Sequence, residues 1–153
     1  MNSIILRTAA SFLLPLLLLA SIVILLRGHN EPGGGFVGGL TAAAGFLLHP
    51  LAFGPERCRS LLPAAPETIT VVGLIVALAS GLPAVLGGDP VFTARWSTLE
   101  PVPGVKLGTP LLFDIGVHLA VSGSVLLMIL SIADWPAARR DAAGSARDSG
   151  GHA

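Results

Sequence analysis

The chain has 153 residues, the size of one ordinary domain. Hydrophobic residues make up 52% and charged residues 12%, with a mean hydropathy of +0.79; a soluble domain carries about 25% charged residues. That composition excludes a water-soluble fold, and nine basic residues balanced by nine acidic ones leave no basic face for nucleic acid.

Four apolar stretches stand out, each close to the roughly 20 residues that a spanning helix needs. The first covers residues 4–26. Arg7 lies near its outer end and can snorkel to the surface. Its apolar run is too long for a signal peptide, and no small-x-small cleavage site follows Leu26. Pro15 is a candidate kink. A tight polar turn from Arg27 to Gly33 leads to the second stretch, residues 34–53, which is dense in Gly and Ala.

A proline-rich polar loop from Gly54 to Glu67 precedes the third stretch, residues 68–86, where Pro83 weakens the last turn. Glu67 suits the start of that helix, where a negative charge is favoured. The connection from Gly87 to Gly108 is longer and shows no periodicity. The fourth stretch covers residues 110–133, with Thr109 placed as an N-cap and Pro110 as the first helical residue. Trp135 stands where an aromatic belt residue belongs. Residues 136–153 are rich in Ala, Gly, Ser, Asp and Arg, which predicts a disordered tail. The expected fold is an all-α membrane protein, with a four-helix domain over residues 1–135.

Orientation follows from the basic residues. The N-terminus, second loop and tail hold Arg7, Arg57, Arg59, Arg139, Arg140 and Arg147; the other side holds Arg27, Arg95 and Lys106. The excess places both termini in the cytoplasm.

The run Gly28-His29-Asn30-Glu31-Pro32-Gly33-Gly34-Gly35-Phe36-Val37-Gly38-Gly39-Leu40 is the most unusual stretch. Gly33, Gly35 and Gly38 formally match a dinucleotide fingerprint, but no strand precedes them and no acid follows about 20 residues on. A membrane reading fits better. Gly34 with Gly38, and Gly35 with Gly39, are small-xxx-small pairs, and Gly45 extends the face. Such a face lets another backbone approach closely, either a partner's helix or one of this chain's own. His29 and Glu31 stand where a translocated ion would enter, or they satisfy loop amides.

Asp114 lies about one turn inside the fourth stretch. An acid at a helix centre costs roughly 2.5–3.5 kcal/mol on insertion, less near an end. It is either an acid tolerated by the helix dipole or a carboxylate for a cation or proton. His118 is four residues on and shares its face, where it can relay a proton or bond a neighbouring helix. His49 has the character of an interfacial histidine. Ser122 and Ser124 suit backbone hydrogen bonds. Cys58 is the single cysteine, so no internal disulfide forms. No zinc spacing and no nucleophile-and-base arrangement is present, so neither an enzyme nor a bound metal or cofactor is expected.

One intramembrane acid cannot carry a cation across about 30 Å of hydrocarbon. The chain therefore needs partners. Here the residues resemble a known family. The run Gly28–Leu40 resembles the signature of the MnhB/MrpB family, one of the subunits of Mrp-type multisubunit sodium/proton antiporters. The run Thr109-Pro110-Leu111-Leu112-Phe113-Asp114-Ile115-Gly116-Val117 resembles the start of that family's last helix. The resemblance extends from about Leu25 to Ile132.

It implies a four-helix subunit of a complex in the bacterial inner membrane, which exchanges cytoplasmic sodium for external protons and is related to the membrane arms of respiratory complex I and membrane-bound hydrogenases. The large subunits of such complexes carry the Lys/Glu proton channels; this chain has no intramembrane lysine, which agrees with an accessory role. By resemblance, Asp114 lies where the family places an acid proposed for the cation path. His118 departs from the pattern, which has an apolar or aromatic residue there. Glu31 stands at a variable position. The competing expectations are a purely structural subunit held by its glycine face, and a small homo-oligomeric cation transporter.

Overall fold

A computed structural model describes residues 4–28, 32–96 and 107–150, with side chains to residue 134. Among the described residues six helices follow in order: α1 (Ile4–Arg27), α2 (Gly35–Phe53), α3 (Pro55–Leu61), α4 (Pro66–Ala79), α5 (Leu82–Leu86) and α6 (Thr109–Gly150). Four segments of the described residues are long and apolar enough to cross a membrane: Ile4–Arg27, Gly35–Phe53, Pro55–Leu86 and Thr109–Asp134. Among the described residues β pairing is limited to one antiparallel bridge between Trp96 and Gly108. A helix satisfies its own backbone groups where water is excluded, which is why the apolar runs fold this way.

The helices stand in a row. α2 packs between α1 and α6, and α4 covers the far side of α6. Gly38 faces Ser21 and Leu25 while Gly45 faces Leu14 and Leu17, so α1 and α2 are antiparallel. Gly35 meets Asp114 and Gly39 meets His118, so α2 and α6 run parallel. Gly73 meets Ala120 and Gly123 meets Thr70, which makes α4 antiparallel to α6. The outer face of α1 carries Phe12, Leu16 and Leu19, more than half exposed. A soluble protein would bury such side chains; in hydrocarbon they need no cover.

Three expectations are corrected. The stretch from Gly54 to Glu67 is not only loop: α3 occupies its first half, with Pro55 at the first helical position. Cys58 points inward from α3, fully buried in a cluster with Phe46, Leu126 and Leu130, flanked by Leu14, Leu18 and Leu62. The third span is not one helix. α4 has 14 residues, about 21 Å of rise, and ends at Ser80, whose hydroxyl donates to the Ala77 carbonyl at 2.6 Å. Pro83 has no N–H to carry the ladder onward, so α5 starts as a separate turn. The fourth helix passes its expected end at residue 133 and continues to Gly150, through the stretch whose composition suggested disorder.

Thr109 starts α6, as its sequence position suggests, but its side chain reaches elsewhere. Its hydroxyl accepts a hydrogen bond from the Arg95 N–H at 3.1 Å, and its own N–H donates to the Arg95 carbonyl at 3.0 Å. This pair fastens the long connection to the head of α6. Pro15 lies within an uninterrupted α1. Ser122 and Ser124 donate to the carbonyls of Leu119 and Ala120, as expected.

Candidate functional site

The site begins with a chain reversal. Gly34 has φ +93° and ψ −172°, a backbone state open almost only to glycine. Its N–H donates to the Ile24 carbonyl at 3.1 Å and pins the turn to the end of α1. A side chain at Gly28 would run into Gly34, and one at Gly33 would come within 2.6 Å of the Ile24 carbonyl. The glycine run is therefore a tight re-entry turn.

Asp114 lies against this turn. Both of its carboxylate oxygens are 3.6 Å from the point where a Gly34 side chain would begin. A side chain at Gly35 would overlap the Asp114 backbone carbonyl. α2 starts here without a side-chain cap of its own. The half-buried carboxylate thus sits at the positive end of α2 and in the second turn of α6. Two helix N-termini favour its charge, whereas sequence alone offered one.

The carboxylate also lines a cavity of about 400 Å³, shared with Ser80, Phe92, Thr109, Pro110 and Phe113. Phe92 carries φ +64°, a strained state for a bulky residue. Its ring packs edge-on against Phe113 at 5.9 Å. It also lies over the α4–α5 break, 3.1 Å from where a Gly81 side chain would begin. Sequence reading missed Ser80, Phe92 and Phe113. The signal available for Ser80 was Pro83, which marks a helix break; nothing marked Phe92.

His118 follows one turn deeper on α6. Its Nδ1 is buried, without a hydrogen-bond partner among the described residues, 3.0 Å from where a Gly38 side chain would begin. The same point on Gly38 is 3.0 Å from the Ser21 carbonyl. Gly39 faces the His118 carbonyl at 2.8 Å and Val121 at 3.0 Å. Asp114 and His118 therefore both look onto the glycine face of α2. His29 and Glu31 lie outside the described residues.

Gly34, Gly35, Gly38, Gly39 and Gly45 each lie against another part of this chain. Gly35 and Gly39 admit α6; Gly38 and Gly45 admit α1. A second seam went unread. Gly73, Ala77, Gly116, Ala120 and Gly123 bring α4 onto α6 so closely that side chains at Gly73 or Gly116 would overlap the facing backbone. Its signal was the four-residue spacing of Gly73 with Ala77 and of Gly116 with Ala120. Among the described residues no three His, Cys, Asp or Glu side chains converge as a metal would need.

Residues 5–127 match the family described as "Domain related to MnhB subunit of Na+/H+ antiporter". The chain belongs to the MnhB family. It is 36% identical over 135 residues to a Na(+)/H(+) antiporter subunit of Bacillus subtilis, covering 87% of this chain and 94% of that one. The subunit of the same name from Alkalihalophilus pseudofirmus is 35% identical with the same coverage. Among solved structures, the Mrp complex from Dietzia sp. DQ12-45-1b contains a similar fold, with a TM-score of 0.73 at 32% identity. That likeness covers 85% of this MnhB-family chain and 14% of the much longer one.

Proposed function

We propose that this chain is an accessory subunit of a multisubunit cation/proton antiporter in the bacterial plasma membrane, exchanging cytoplasmic Na+ for external H+. Its relatives are named as subunits of a Na(+)/H(+) antiporter, and the chain covers nearly their whole length. In this reading the other subunits are its partners and both termini face the cytoplasm. Na+ and H+ are cargo, and no cofactor or enzymatic step is involved.

The observation that carries the finer reading is the placement of Asp114. A half-buried carboxylate meets two helix N-termini and lines a cavity of about 400 Å³. The dipoles keep a negative charge tolerable inside the apolar layer, and the cavity gives a small cation room to reach it. His118, one turn deeper, continues the polar face and is the candidate proton acceptor. Each step beyond these groups belongs to other subunits, because one carboxylate near a helix start cannot span the membrane.

The test is Na+-driven proton movement in inverted vesicles carrying the whole complex with Asp114→Asn. A native gel establishes assembly. Lost exchange with intact assembly supports a conducting carboxylate. Preserved exchange would leave Asp114 as an acid tolerated at two helix starts, and this chain as scaffold. The scaffold reading has its own support in the glycine seams, which hold all four spans together without using Asp114 as a charge.

A further inference from the structure

The end of the molecule opposite Asp114 carries a second arrangement of chemistry. Phe53 closes α2, and two cations from different helices converge on its ring. The Arg7 guanidinium carbon, from the first turn of α1, lies 5.0 Å from the ring centroid. The Arg57 guanidinium carbon, from the first turn of α3, lies 5.5 Å away. His49 supports the ring from the protein side at 4.6 Å between centroids. His49 is 7% exposed, and its Nδ1 has no hydrogen-bond partner among the described residues.

Arg59 is paired with Asp134, and Arg95 with Asp89. Among the described residues neither Arg7 nor Arg57 makes an ion pair. Two like charges held near one ring repel each other, and the ring offsets only part of that cost. Guanidinium over a ring face keeps its in-plane N–H donors available. The arrangement therefore suits an anion with several acceptor oxygens.

Its position selects the anion. Arg7 starts α1 and Phe53 ends α2, so the cations stand at the edge of the apolar layer, both exposed. Leu51 and Leu47, one turn apart on α2, are 67% and 49% exposed and lead from that edge into the layer. A phosphate with acyl chains attached can use both features; a free phosphate can use only the first. We infer that Arg7 and Arg57, gathered on Phe53, hold the headgroup phosphate of an anionic phospholipid whose chain lies along Leu51 and Leu47.

The test is photocrosslinking in the intact complex. A phosphatidylglycerol bearing a headgroup photoreactive group is incorporated into vesicles that otherwise contain phosphatidylethanolamine. The expected crosslinks map to the peptides carrying Arg7 or residues 49–57. Excess unlabelled phosphatidylglycerol competes, and millimolar inorganic phosphate does not. Arg7→Gln with Arg57→Gln lowers the yield at least about tenfold, since each basic residue at an anionic lipid surface contributes about fivefold, while Lys at both positions retains most of it. The unaltered complex keeps the test independent of whether a variant assembles. Absence of these crosslinks overturns the proposal. So does an undiminished yield in the Gln variant, or an equal yield from photoreactive phosphatidylethanolamine. Competition by inorganic phosphate overturns the lipid in favour of a free anion.

Discussion

The Asp114 carboxylate rests on Gly34, with both oxygens 3.6 Å from the point where a Gly34 side chain would begin. The two residues are 80 positions apart, and each accounts for the other. Glycine is needed at 34 for its left-handed backbone. The acid at 114 gains the open start of α2 as a second source of positive potential.

Asp114→Asn keeps the shape and removes the charge. The loss of its interaction with two helix ends amounts to about 1 kcal/mol, too little to prevent assembly. Exchange in inverted vesicles is expected to fall at least about tenfold, while the native-gel band stays unchanged.

Gly34→Ala places a methyl group in ordinary contact with the carboxylate, so space is available. The backbone state is the obstacle, and it costs about 1–3 kcal/mol for a residue with a Cβ. Thermal unfolding of the detergent-solubilised complex is expected at a lower temperature. An unchanged midpoint would show that the turn relaxes without penalty.

Gly38→Leu and Gly116→Leu test the two seams separately. Leu at 38 drives into His118 and the Ser21 carbonyl, and Leu at 116 drives into the Ala77 backbone. The Ser21 carbonyl and the Ala77 backbone cannot swing aside as a side chain can, so the helices must separate. Each variant is expected to lose more stability than the roughly 1–3 kcal/mol of ordinary overpacking, and to disappear from the assembled band on a native gel.

Cys58 on α3 is fully buried against Phe46 of α2 and Leu126 and Leu130 of α6. Maleimide labelling is expected to be slow in the folded complex and complete after denaturation. Rapid labelling of the native complex would place α3 away from the Phe46–Leu130 cluster.

Arg59 joins α3 to α6 through two hydrogen bonds to the Asp134 carboxylate, one of them at 3.3 Å. The side chains are 47% and 38% exposed, so solvent screens the attraction. A double-mutant cycle with Arg59→Gln and Asp134→Asn is expected to give a coupling below about 1 kcal/mol, shrinking as salt rises.

The four spans were legible in the amino-acid order. Apolar runs near 20 residues leave the backbone no solvent to bond, and a helix satisfies it internally whatever surrounds it. The turn at Gly33–Gly34 and the helix start at Thr109–Pro110 were legible too, because glycine and proline act through their own backbone limits. The seven-residue α3 stayed hidden because Glu56, Arg57 and Arg59 give it the polarity of a loop; its stability comes from burying Cys58, a tertiary contact. Residues 34–45 and 73–77 present small residues at helical spacing, but spacing names no partner. Packing settled that α2 lies between α1 and α6, and that Asp114 meets Gly34. Helix pairing in hydrocarbon depends on how closely two backbones can approach, and that closeness belongs to both surfaces at once.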